Sequence, residues 1–423
     1  MIDALKMIEI APNVNLHFVK SKKFKTDLVS LYFLRPLTKE EATLNALLTR
    51  MIDQGTAKFP TAQVLNQHLD EHYGMSLVSD VTKIGERHVV QMKVQFPRSP
   101  IIGKNLMVDG LELLHEAVYN PLVANHKFEE TIFEMEKQLL RQEIEASIND
   151  KTGYAITRCL ELMCNEEPYR FYEYGDVEYL ETITNEQLYA HYLEVIYHSK
   201  MDVIVIGDFD FDQTEPLIKE FFSSKIENVI EIPEEIVNIP VESLRIVNES
   251  MSVQQGKLVI GYRTYTDRFD PMYYPLQLFS AIFGGMPSSK LFMNLREKES
   301  LCYFIGSKVD KLKGIMYVVS GIDFDKYDLA NQLIDIQFEE MLQGNFGDED
   351  IEMATKSIVA SLRSISDYPN SFSNFYFNQS MLGDTVEIED YVRKYEAVTK
   401  EQIIEAGKRI KKDLVYFMKG SDI

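Results

Sequence analysis

Apolar positions along this chain switch repeatedly between a period of two and a period near 3.6, and the switches set out its elements. Runs at 15–19 and 28–35 read as strands. From Ala42 to Asp53, Leu44, Leu47, Leu48, Met51 and Ile52 fall on one side of a helix that Gly55 stops. Thr61 caps a second helix that runs through Tyr73 and stops at Gly74. Alternation returns at 78–81 and 88–96 as a meander. Helical patterns follow over 103–118, 128–148 and 154–164, and a continuous apolar run at 201–207 reads as a buried strand.

The second half of the chain repeats this order. The strand at 257–264 matches 28–35, a helix follows over 271–283, and 290–296 forms a short helix. A meander at 303–309 and 314–322 leads into helices over 327–343 and 349–366. Near the end of each half stands a capping box, Thr184 with Gln187 and Thr399 with Gln402, in which the threonine caps a helix and the glutamine reaches back. Each box opens a helix that leads into an apolar strand, at 203–206 and 414–417. Two boxes in the same context point to duplication. Between the halves, 225–243 is rich in Glu and holds Pro233 and Pro240, which suits an extended linker. The expected fold is therefore α+β: two homologous α/β-sandwich halves, 1–230 and 231–423, each a mostly antiparallel sheet covered by helices.

Composition narrows the function classes. The 423 residues suffice for two to three domains by the ~150-residue guide, and 45% apolar content allows a large core. With 44 Lys and Arg against 66 Asp and Glu, the net charge of −22 argues against nucleic acid or an anionic membrane as partner, and suits a basic peptide. Cys159, Cys164 and Cys302 form no CxxC pair, which points to a reducing compartment and away from a structural zinc knot. The first residues lack a basic flank before a long apolar run, and no apolar run approaches the ~18 residues of a membrane span. The expected location is the cytoplasm.

Candidate chemistry concentrates in a few places. Residues 283–306 read FGGMPSSKLFMNLREKESLCYFIG: glycines Gly284 and Gly285, a short helix carrying Leu291, Phe292 and Leu295, then Leu301, Tyr303 and Ile305 in strand-like alternation. A glycine turn feeding a Ser-capped helix would leave N–H groups free at the helix start. Arg296 and Tyr303 follow, a guanidinium fork and a phenol suited to a peptide carbonyl or carboxylate. The same residue types also suit a surface ion pair for Arg296 and packing within a sheet for Tyr303.

A literal HxxEH occurs at His68-Leu69-Asp70-Glu71-His72, where two histidines share a helix face with zinc-ligand spacing and Glu71 stands as a general base. The same pattern suits a solvated helix face, with Leu65, Leu69 and Tyr73 as its apolar stripe. Glu136 and Glu143 project from one helix face two turns apart, as a carboxylate pair completing a metal site would, or as part of a charged surface. All eight histidines lie in the first half. Cys302 has no nearby histidine and reads as a packed thiol.

The duplicated halves, the stretch GGMPSSKLFMNLREKESLCY and the stretch EKQLLRQEI at 136–144 resemble the pitrilysin/insulinase family of zinc peptidases, in its processing-peptidase-like branch. The resemblance implies that Arg296 and Tyr303 hold a substrate peptide and that Gly284–Gly285 is the family's Gly-rich loop. It places the metal-binding HxxEH on the helix just before Met51 and Gly55-Thr56. Here those positions are Ala46 and Arg50 for the two histidines and Thr49 for the glutamate. Glu143 matches the third ligand and Glu136 its upstream partner. The literal HxxEH at His68–His72 falls one helix too late and after the Gly-Thr pair.

The resemblance further implies subunits that pair, one carrying zinc and the other the Arg/Tyr signature. The expected role is then a metal-free pseudo-peptidase that binds peptide beside a homologous HxxEH-bearing subunit, as a heterodimer or a self-dimer. Two alternatives stand beside it. One is a self-sufficient zinc peptidase using His68, Glu71, His72 and Glu143. The other is a non-catalytic peptide-binding or assembly protein.

Overall fold

Two sheets carry the fold. A computed structural model describes residues 4–384 and 386–420. The first sheet orders six strands as Ala4–Ala11, Val14–Lys20, Met201–Gly207, Thr26–Pro36, Arg87–Pro97 and Ser76–Ile84. The second orders five as Arg245–Met251, Lys411–Gly420, Gly256–Arg263, Ile315–Ile322 and Cys302–Asp310. Val14–Lys20 runs parallel to Met201–Gly207, as Arg245–Met251 does to Lys411–Gly420. The remaining pairings within both sheets are antiparallel. The two sheets share one topology, and the first adds the outer strand Ala4–Ala11. Both capping boxes form as expected.

The pattern did not announce the outer strands Ala4–Ala11 and Arg245–Met251. The latter pairs on one side only and leaves Ile246, Asn248 and Ser250 exposed, so its apolar alternation is weak. The linker takes the expected irregular course over 225–243.

The chain forms two compact units that cut across the expected halves 1–230 and 231–423. The first comprises the chain up to Glu145, Phe171–Pro233 and a segment starting at Ser364; the second comprises Ala146–Arg170, Glu234–Arg363 and the chain from Val386. Helix Lys151–Met163, from the first half of the sequence, thus belongs to the second unit. Helix Pro369–Leu382, from the second half, belongs to the first.

Packing explains the exchange. In the first unit, Leu31, Phe33, Val90 and Met92 face Leu47, Leu48, Leu111 and Leu114 in one core. On the other face helix Pro369–Leu382 covers Tyr32, whose ring stacks on Phe377 at 4.3 Å and whose hydroxyl lies 2.8 Å from Ser373 Oγ and Asn374 Oδ1. In the second unit Leu258, Ile260 and Val318 meet Leu276, Phe279 and Ile403. The opposite face, Val259, Ile315, Leu414 and Tyr416, is covered by Ala155, Cys159 and Met163. Gly261 makes that approach possible, because a Cβ there would meet Met163 Sδ at 2.5 Å. Periodicity announces that a helix has a buried face, but not which sheet receives it.

Several buried polar side chains of each unit are paired. His17 meets Asp202 at 2.8 Å, and Asn45 bridges His88 and His191 at 2.9 and 2.7 Å. Burial pushes His88 down to about 4 and His191 down to about 3, so both are neutral structural groups at neutral pH. In the second unit Arg263 donates to both oxygens of Glu167 and to Asp413, Lys313 meets Glu167 at 2.6 Å, and Arg245 meets Asp413 at 2.7 Å.

Candidate functional site

The helix Lys39–Ile52 starts where Thr38 accepts the N–H of Glu41. Its early acids Glu40 and Glu41 and its late Arg50 suit the helix dipole. Ala46 and Thr49 are buried in this helix, and the Thr49 hydroxyl donates to Ala46 O at 3.0 Å. Arg50 points to the facing helix Glu130–Ala146, which buries Phe133, Glu136 and Leu140. Its Nη1 donates to Glu136 Oε2 at 3.1 Å and its Nη2 to Glu143 Oε2. Gln54 Nε2 donates to the other Glu136 oxygen at 2.8 Å. The structure thus brings together three of the five positions singled out in the sequence, Arg50, Glu136 and Glu143, as an ion-paired cluster. Gln54 was missed, although it lies one turn beyond Arg50 on the same side.

The donor set does not fit zinc. Ala46 has no ligand atom, the Thr49 hydroxyl is engaged by its own helix, and a guanidinium occupies both carboxylates. Nor does the literal HxxEH assemble with Glu143. His72 Nδ1 lies 2.7 Å from the His68 carbonyl, to which it donates, and its Nε2 lies 3.4 Å from Asp109. The His68 ring packs on Phe59 at 4.3 Å, and Glu71 accepts from Gln67 at 2.9 Å. Among the described residues no group of three or more His, Cys, Asp or Glu side chains is placed to hold a metal ion.

Asp53 stands beside this cluster, with the Ser79 N–H donating to its Oδ2 at 3.3 Å. Burial pushes its carboxyl up to about 7, and the carboxylates of Asp80 and Glu136 push the same way. The folded chain therefore holds a proton that the unfolded chain releases near pH 4, so this stabilisation is present at low pH and fades as pH rises through about 7. The Asp53→Asn variant is expected to lose less stability than the parent between about pH 5 and 8 in denaturant titrations. Parallel losses would assign the proton elsewhere.

In the second unit the expected glycine turn is instead a helix end. Gly284 and Gly285 close the π-turn Ala281–Gly285 that extends helix Tyr273–Ser280, and neither has a positive φ. Their glycine character serves close approach: a Cβ at Gly284 would meet the Ser307 backbone N at 2.9 Å on the edge strand. The short helix that follows is capped by Ser289, whose Oγ accepts the Phe292 N–H at 3.4 Å. The capping side chain occupies that N–H, and the expected free helix start is not built from the glycines.

Arg296 lies in Phe292–Lys298, with its guanidinium 4.6 Å from the Phe292 ring centroid and a long 3.7 Å contact to Glu297. The expected alternation of Leu301, Tyr303 and Ile305 breaks at a β-bulge. Cys302 pairs with Ile322 and Phe304 with the adjacent Gly321, leaving Tyr303 out of register. Leu301 and Ile305 are buried, whereas Tyr303 is 82% exposed, so it does not pack within the sheet. The bulge leaves the phenol exposed on an edge strand that packs against the short helix carrying Arg296.

The family model described as "Peptidase M16 inactive domain" matches residues 182–358. A Bacillus subtilis protein described as "Probable inactive metalloprotease YmfF" is 36% identical over 408 residues, covering 96% of each chain. The chain belongs to the peptidase M16 family. This agrees with the resemblance to pitrilysin- and insulinase-type peptidases, and it makes the chain a homologue of a protein described as a probable inactive metalloprotease. The crystal structure of a conserved protein from Enterococcus faecalis V583 matches with a TM-score of 0.91 at 26% identity over 99% of each chain. A peptidase M16 inactive domain from Pseudomonas fluorescens shares the M16 fold at a TM-score of 0.80 and 16% identity, over 99% of this chain and 98% of its own. Among the described residues no helix is long and apolar enough to cross a membrane.

Proposed function

We propose that this M16 chain is the metal-free subunit of a zinc-dependent processing peptidase. It forms one wall of a closed chamber and presents Arg296 and Tyr303 to a peptide beside the zinc of a homologous HxxEH-bearing partner. The observation that carries the reading is Tyr303, left out of register by a bulge and exposed on a strand that packs against the short helix carrying Arg296. An outward phenol on an edge strand is poorly explained by packing and suits contact with an extended peptide. Arg50 on Glu136 and Glu143 supports placing the zinc in the partner. The buried thiols of Cys159, Cys164 and Cys302 support a cytoplasmic setting.

The purified chain is expected to carry no stoichiometric zinc after dialysis, measured by elemental analysis. One zinc per chain, lost on His68→Ala or His72→Ala, would assign the metal to this chain and sink the pseudo-peptidase reading.

A further inference from the structure

Glu136 is 2% exposed, yet it carries a carboxylate on a helix face shared with Phe133 and Leu140. A buried carboxylate without a cation is strongly unfavourable. In a chain whose neighbouring positions 46, 49 and 50 offer no zinc ligands, the charge on Glu136 needs another partner. Arg50 supplies it: one guanidinium nitrogen meets Glu136 at 3.1 Å and the other meets Glu143. The two glutamates are two turns apart, about 10 Å along the helix, and converge on one planar fork. Gln54 satisfies the remaining Glu136 oxygen.

We propose that the Arg50 guanidinium is a built-in replacement for a metal cation. It neutralises Glu136 and Glu143 and clamps helix Lys39–Ile52 to helix Glu130–Ala146, so this unit keeps its architecture whatever the metal supply. The proposal rests on reading Ala46, Thr49 and Arg50 as a lost metal site. Glu136 and Glu143 are then working parts of the fold, retained because a cation still sits between them.

Metal rescue separates this from an ordinary ion pair. Full-length protein, freed of metal by chelator, is melted with and without zinc ion. The wild-type melting temperature is expected not to respond. Arg50→Ala is expected to melt lower by about 4–10 °C, and zinc is expected to restore much of that loss by entering the vacated carboxylate pair. Arg50→Gln keeps a hydrogen-bond donor without the charge and is expected to behave likewise, which covers the case in which Arg50→Ala fails to fold. Adding Glu136→Gln and Glu143→Gln is expected to abolish the zinc response.

Three results would overturn the proposal: arginine variants that melt with the wild type, a loss that zinc does not restore, or an equal zinc response after both glutamates are replaced. A zinc response of the wild type that His68→Ala removes would count against the pseudo-peptidase reading alone.

Discussion

Glu167→Gln is expected to destabilise the second unit by about 3–5 kcal/mol, the range for removing one partner of a buried ion pair. Glu167 lies just beyond helix Lys151–Met163 and accepts both terminal nitrogens of Arg263 and the ammonium of Lys313, which is 0% exposed. Arg263 and Arg245 also donate to Met163 O, each at 3.0 Å, and Arg245 to Leu162 O at 2.9 Å, satisfying carbonyls at the end of that helix. The network therefore pins the helix to the sheet it covers. Glutamine keeps the shape of Glu167 but turns an N–H₂ toward two cations and removes a carboxylate from the buried Lys313 ammonium, which also donates to the Ile236 carbonyl at 3.0 Å.

The loss is expected as a drop in melting temperature of roughly 6–20 °C, and Lys313→Met in the same chain is expected to recover part of it by removing a buried ammonium that has lost the Glu167 carboxylate. Burial alone would raise the Glu167 carboxyl, but Arg263 and Lys313 outweigh it and hold it below its ordinary value. The stabilisation is thus present above the ordinary carboxyl range and lost as pH falls through it. A Glu167→Gln chain that melts with the parent would show that the network contributes nothing net.

Arg296→Ala and Tyr303→Phe are expected to leave the melting temperature nearly unchanged and to cripple peptide cleavage by the chain assembled with an HxxEH-bearing partner. Both side chains are exposed, Arg296 at 42% in its side chain and Tyr303 at 82%, so little packing is lost. Both are nonetheless positioned: Arg296 by the Phe292 ring, Tyr303 by the bulge in its edge strand. Losing one charged hydrogen bond to the substrate is expected to cost about 1.5–3 kcal/mol, or roughly 10- to 150-fold in rate where the contact acts in the transition state. Lysine at 296 is not expected to restore the rate, because an ammonium lacks the planar fork. Tyr303→Phe removes only the hydroxyl and isolates its hydrogen bond. Unchanged melting with unchanged cleavage would show that neither residue meets the peptide, and the assembly reading would take over.

The capping boxes at Thr184 and Thr399 are local, since a threonine and the glutamine three positions later decide them without help from the rest of the chain, and both form. The duplicated order of strands and helices is likewise carried by hydrophobic periodicity, and the two sheets repeat one topology. That Ala46, Thr49 and Arg50 offer no imidazole or carboxylate is legible in the sequence itself. What Arg50 does instead was not legible: its partners are 86 and 93 positions away, and only the packing of two helices brings them together.

In the sequence Tyr303 belongs to a regular alternation, because a bulge arises from the register with a neighbouring strand and leaves no mark in the strand's own sequence. Gly284 and Gly285 suggest a turn, and the approach of the Ser307 backbone shows why a side chain is excluded at Gly284. The exchange of helices Lys151–Met163 and Pro369–Leu382 has the same cause. An apolar face records that a helix must be buried, while the sheet that buries it is chosen by shape, by the gap at Gly261 and by the charges around Glu167.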